Sequence, residues 1–301
     1  MKKITALAVA LVAGAATSAF AGTPSQFLVV PDSSNDILVT FDPFDGSLVN
    51  SNFATIGGGT PKHALQVGNE IWVSNQLTDQ IDRFTLNGAF VSSITGAMDN
   101  IKGMEVVGNE VWVTNAGTNN GAPGDAIVKI DIGSASLTGF TATNGTLFDL
   151  VNYQGQVLGT NIDTEDLEFF DAAGNFASVF HASDGVSGID FPQQAFARDN
   201  GGLLVAGFSS PSGVYAYDSA GNDLGIIAGI DGGARGVYEL GNGNIMWTNG
   251  GGVWVTDPNT GEVTNVYDGG SGQYIDLVVI PAPGAAGLLA LAGFASTRRR
   301  R

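Results

Sequence analysis

Lys62 and Lys102 occupy the same position in two related segments, each just ahead of a short apolar run, and Arg235 reaches that position if its segment carries one extra residue. The other related segments place Phe148, Gln194 and Gln273 there, and His63 lies beside Lys62. Cations, amides and an imidazole brought to one opening would attract and orient an anion, since an opening lined by one sign of charge focuses its field. The competing expectation is local pairing of each cation with Asp99, Asp149, Asp231 or Asp276. A second set, Glu105, Asp149, Asn152 and Asp276, supplies hard oxygen donors on or near the same apolar runs, the chemistry that holds Ca2+ or another divalent cation and activates water for hydrolysis. Only two histidines, His63 and His181, occur in 301 residues, and cysteine is absent. Multi-histidine metal centres, thiolate sites, disulfides and cysteine nucleophiles are therefore excluded. No nucleophile elbow, phosphate loop or zincin helix is present, so catalytic residues other than the oxygen set are not assigned.

The elements that must position these residues come from a degenerate repeat. Its clearest phrases are Gly68-Asn69-Glu70-Ile71-Trp72-Val73-Ser74-Asn75 and Gly108-Asn109-Glu110-Val111-Trp112-Val113-Thr114-Asn115. With Leu28, Trp72, Trp112, Leu158, Leu204 and Met246 taken as equivalent, the steps are 44, 40, 46, 46 and 42 residues. A period in that range with four short strands per unit is the signature of a β-propeller. In the third unit the strands read Met104–Val107, Val111–Thr114, Ala126–Asp131 and Ser136–Phe140. Asn87-Gly88, between apolar runs, predicts a hairpin with both turn residues at positive φ. The 44 glycines punctuate such runs instead of clustering in tracts, so they are turn residues. Trp72, Trp112 and Trp247 fall in second strands and are expected in the core, whereas Trp254, in a third strand, is expected to be more exposed.

The first unit lacks an innermost strand, and the chain supplies an orphan one at Tyr274–Ile280. Pairing the two in one blade closes a ring of six and removes its free edges. The fold class is therefore all-β, a six-bladed propeller over residues 22–280, closed by its N- and C-terminal strands. On the repeat phrases above, residues 25–280 resemble secreted six-bladed propellers of the NHL and YVTN-like group. One branch implied by that resemblance is a lactonase-like hydrolase, with its metal held in the central channel by Glu105, Asp149, Asn152 and Asp276.

The two ends read as addresses. Lys2-Lys3, an apolar stretch from Ile4 to Ala16 and the small-x-small site Ala19-Phe20-Ala21 form a secretory signal peptide over residues 1–21. Residues 281–301 begin Pro281-Ala282-Pro283, continue through about fourteen apolar residues, Gly284 to Thr297, that would sit in the inner membrane as a transmembrane segment, and end in Arg298, Arg299, Arg300 and Arg301. Arginines after an apolar segment hold that end on the cytoplasmic side. This tail resembles the PEP-CTERM sorting signal, with Ala282 where that family has Glu. The resemblance implies a transient stay in the inner membrane, cutting by an exosortase-like enzyme, and release to the cell surface or extracellular matrix; a retained anchor is the alternative.

Outside these addresses six cations, Lys62, Arg83, Lys102, Lys129, Arg198 and Arg235, stand against 29 Asp and Glu, which leaves the body at −23. Such a surface repels nucleic acid and anionic membranes. The expected function is a non-enzymatic binding or scaffold module for envelope or matrix polysaccharide or protein, with no resident cofactor. Its ligand would meet Lys62, His63, Lys102, Gln194, Arg235 and Gln273. The alternative is the metal-dependent hydrolase.

Overall fold

The computed structural model describes residues 25–230 and 232–281. The signal segment with Ala19 and Ala21, and the tail residues Pro283 and Arg298 to Arg301, lie outside the described residues; Pro281 directly follows the last strand. No helix among the described residues is long and apolar enough to cross a membrane.

Twenty-four strands form six four-stranded antiparallel sheets. Blade 2 is Pro61–Val67, Glu70–Asn75, Gln80–Thr85 and Phe90–Ile94, counted outward from the axis. Blades 3 to 6 repeat this order, with innermost strands at Met104–Val107, Leu147–Tyr153, Pro192–Ala197 and Val237–Glu239. Blade 1 is the composite one: Asp276–Ile280 pairs with Ser25–Asp32, followed by Ile37–Phe41 and Leu48–Thr55. The closing strand starts two residues later than its apolar pattern, and the ring closes as expected. Each repeat residue stands in a second strand facing its first-strand partner, as in Leu65↔Trp72, Glu105↔Trp112 and Val151↔Leu158.

Second strands are apolar throughout because both of their faces are covered. Ile71 and Val73 pack toward blade 1, whereas Trp72 packs toward blade 3. In the next blade Val111 and Val113 pack back on blade 2 while Trp112 faces blade 4. The core is accordingly divided, with a separate hydrophobic cluster between every pair of neighbouring blades. Trp72, Trp112 and Trp247 are buried and Trp254 is half-buried, as their strands imply.

The outer hairpins differ in detail from the expected turn. Gly88 takes φ +84° while Asn87 is not at positive φ, and Gly88 N–H donates to Thr85 O. This is a type I turn followed by a left-handed glycine, the other geometry that an Asn-Gly pair serves. Gly88 is required twice over, because a Cβ there would stand 2.6 Å from Phe53 O in the neighbouring blade.

Closure makes a specific demand on stability. Deleting residues 274–280 leaves the Ser25–Asp32 strand with an open edge and strips Ile275 and Val278 from the clusters on either side of blade 1. The deletion is expected to abolish the single cooperative thermal transition seen by circular dichroism, and a retained wild-type Tm would contradict ring closure.

Candidate functional site: the central channel and its cationic mouth

Six innermost strands start around one mouth of the channel. The residue just inside the mouth donates its N–H to a hydroxyl at the end of the second strand: His63 to Ser74 Oγ, Gly103 to Thr114 Oγ1, Asp149 to Thr160 Oγ1 and Gly236 to Thr248 Oγ1. Two of these hydroxyls pass the contact on to the next blade, Ser74 Oγ to Lys102 O and Thr248 Oγ1 to Gln273 O. The Ser/Thr-Asn ending of the repeat phrase thus fixes the backbone that carries Lys62, Lys102, Arg235 and Gln273. The recurrence of that dipeptide was the available signal for this role.

Deeper in, an innermost strand turns one edge to the axis, and its N–H groups need partners. The candidate residues supply them. His63 Nδ1 accepts Met104 N–H at 3.0 Å, joining blades 2 and 3. Glu105 Oε2 accepts Asn152 N–H at 3.1 Å, and Asn152 Nδ2 donates to Val106 O at 2.9 Å, joining blades 3 and 4. Asp149 Oδ2 accepts Ala195 N–H at 3.0 Å, joining blades 4 and 5. Gln194 reaches past blade 6: its Oε1 accepts Val237 N–H at 3.0 Å and Ile275 N–H at 2.8 Å, while its Nε2 donates to Ile275 O at 2.7 Å. Gln66, which carried no expectation from the sequence, holds Val279 through both its N–H (2.7 Å) and its C=O (3.0 Å). His63 and Gln194 are therefore buried staples in the channel wall, away from the open mouth.

Tyr274 closes the passage. It is 0% exposed, and its hydroxyl donates to Phe148 O at 3.2 Å, from blade 1 to the blade across the axis. Its ring meets His63 edge-on with centroids 5.7 Å apart. Beyond it, toward the other face, lies a cavity of about 180 Å³ lined by His63, Glu105, Gln194, Tyr238 and Asp276 among others. Here burial dominates the electrostatics. Desolvation pushes Glu105 and Asp276 up to about 7, raises Asp149 well above the carboxylate range, and holds His63 down at about 3.

The oxygen set does not fit the metal reading. Both Glu105 oxygens accept backbone N–H groups, from Val106 and Asn152, and Asp276 Oδ1 accepts Leu277 N–H. Asp149 Oδ1 is buried without a hydrogen-bond partner, 3.9 Å from a His63 Nδ1 that already accepts Met104 N–H. The neutral imidazole makes this contact no ion pair, and the two residues form no acid–base dyad. Among the described residues no three His, Asp or Glu side chains form a group able to hold a metal ion.

The mouth keeps its charge. Among the described residues, Lys62, Lys102 and Arg235 have no carboxylate within 4 Å, and Arg83–Glu70 and Arg198–Glu239 are the pairs formed by Lys or Arg. Lys62 Nζ donates to Gln273 Oε1 at 3.1 Å, and Arg235 Nη1 to Ser271 Oγ. Desolvation first, then Arg235 and Lys102, bring Lys62 down to about 8. Lys102, only 2% exposed, is buried over the Phe148 ring and donates to Asn100 O, so it charges the site from behind. An arc of rings completes the rim: Phe148 and Phe191 at 5.0 Å, Phe191 and Phe208 at 5.8 Å, with the Arg235 guanidinium over Phe208.

No protein-family model matches the chain, and no curated protein sequence does. Solved structures do. A protein of unknown function from Bacteroides caccae is similar over 85% of this chain and 99% of its own, at 15% identity and TM-score 0.62. A chain of the nidogen/laminin complex covers 84% of this one and 98% of itself, at 11% identity and TM-score 0.68. A catalytically inactive virginiamycin B lyase from Staphylococcus aureus, solved with quinupristin, covers 82% and 86%, at 10% identity and TM-score 0.58. At these identities the likeness is one of fold: the chain is a six-bladed β-propeller.

Gln194 carries the most staples of any single side chain. Gln194→Leu leaves two N–H groups and one C=O unpaired at the axis and is expected to cost about 3 kcal/mol, roughly 6–12 °C in Tm. A Tm within 2 °C of wild type, at most about 1 kcal/mol on the same scale, would remove it from that role.

Proposed function

We propose that the protein is an exported, non-enzymatic binding module, sorted to the cell envelope, whose cationic mouth holds an anionic group of a surface or matrix polysaccharide. The observation that carries this reading is the set of cations at one mouth, two of them partly exposed, without carboxylate partners among the described residues in a body of charge −23. Asp125, Asp99 and Asp163 partly offset the charge of Lys102, whereas no carboxylate among the described residues does so for Lys62 or Arg235; desolvated cations without counter-ions weaken a fold unless a ligand uses them. Sorting rests on the basic-apolar start with Ala19 and Ala21, and on the tail from Pro281 and Pro283 to Arg301. The fold neighbours include both a partner in a protein complex and an enzyme, so the fold does not choose between binding and catalysis. The side chains along the channel favour binding at the mouth, because Glu105, Asp149 and Gln194 accept backbone N–H groups that hold blades together.

The sign of the pH dependence follows from Lys62. It is charged below about 8 and neutral above, and Lys102 behind it is brought by burial to about the same value, so affinity for an anion is expected to fall as pH rises through 8. Titration of D-glucuronate by calorimetry at pH 6.5 and 9.5 checks this; equal affinity at both would exclude Lys62. Replacing the partly desolvated ammonium by an apolar chain of similar length, Lys62→Met, is expected to stabilise the protein by about 1 kcal/mol, or roughly 2–4 °C, while abolishing that binding. A lowered Tm with binding intact would contradict the proposal.

A further inference from the structure

We infer that the mouth accepts only an anionic group carried on its own stem, a terminal or pendant carboxylate of a sparsely charged glycan, and rejects anions built into a chain. This rests on the reading just proposed and narrows it to a substrate class. Three independent features lead to it.

The first is the floor. Tyr274 bridges blade 1 to the Phe148 carbonyl across the axis, and Gln194 ties blade 5 to Ile275, so no polymer threads the channel. A ligand enters from the mouth and leaves by it. The second is the recess of the charge. Lys62 Nζ is tied down to Gln273, whose Nε2 in turn donates to Ser33 Oγ at 2.7 Å, and Lys102 lies beneath Phe148. An anion must be pushed inward to reach Lys62 and Arg235. A carboxylate on a ring substituent does this; a phosphodiester, whose two esters continue the chain on both sides, does not. The third is the surround. A body carrying −23 repels any densely charged chain lying across the rim, so attraction survives only at the opening itself.

The rim adds a ring-binding element beside Arg235. Phe208 is 40% exposed, pressed against the backbone at Gly233 and set beside Arg235, so a sugar ring can lie on it while its carboxylate meets the guanidinium. An apolar face next to a bidentate donor suits a uronate better than inorganic sulfate or phosphate.

Four probes separate the possibilities in calorimetric titrations of the protein at pH 6.5: a neutral oligosaccharide ending in one glucuronate, the same oligosaccharide without it, polygalacturonate, and a phosphodiester polymer such as single-stranded DNA. The expected result is saturable binding of the first alone, weakened at least tenfold in both Arg235→Met and Phe208→Ala, each variant keeping a Tm within a few degrees of wild type. If the variants fail to fold, competition of wild-type binding by free glucuronate but not by dimethyl phosphate reads the same selectivity. Equal or tighter binding of polygalacturonate or the phosphodiester, lost in Arg235→Met, would leave the anion-binding reading standing and overturn this inference. No binding of any charged probe would overturn both.

Discussion

Around the axis six strand edges face one another, and each must find hydrogen-bond partners that no further strand provides. The rest of this structure depends on how that demand is met. In a sheet the next strand answers it; at the axis there is none. His63, Glu105, Asp149, Asn152, Gln194 and Gln66 therefore stand in, each spanning to another blade's backbone. A ring held at its hub and closed by a composite blade needs no disulfide, which fits an all-cysteine-free chain. The apolar clusters between blades then supply the bulk of the stabilisation, while the staples fix where each blade sits.

The same constraint sorts charge along the axis. Desolvation disfavours the ionised forms of the carboxyls committed to backbone N–H groups, so Glu105 and Asp276, which line the chamber beyond Tyr274, carry less negative charge at neutral pH than exposed carboxylates would. The mouth is the reverse. Lys62 and Arg235 remain partly exposed, and among the described residues their side chains donate to neutral partners, Gln273 and Ser271. Tyr274 lies between the two regimes, its phenol held un-ionised by burial and by Asp149, with Arg235 acting the other way. Exposed positive charge is thereby confined to one end of a plugged channel.

The fold was legible in the sequence because its causes are local. A second strand packed on both faces must read apolar-Trp-apolar, and a chain that opens without an innermost strand and ends with a spare one describes its own closure. The hairpin at Asn87-Gly88 was read as the wrong turn since two geometries share that dipeptide. The site was legible only as a set of residues. Their roles depend on partners far along the chain, 81 residues between Gln194 and Ile275 and 126 between Tyr274 and Phe148. No spacing rule separates a glutamine that binds a ligand from one that ties two blades. Gln66 illustrates the loss: one polar residue in the apolar run Ala64–Val67 marked a staple, yet nothing local said what it held.

Hydrogen exchange on the amides of Met104, Ala195, Val237, Ile275 and Val279 tests the central claim most directly, since each is donated to a side chain of another blade and none to a neighbouring strand at that bond. Protection of these five matching the second-strand amides, and lost together with them only on global unfolding, is the expected result. Fast exchange at the five with slow exchange in the second strands would show that the hub is open to solvent and that the ring is held by its apolar clusters alone.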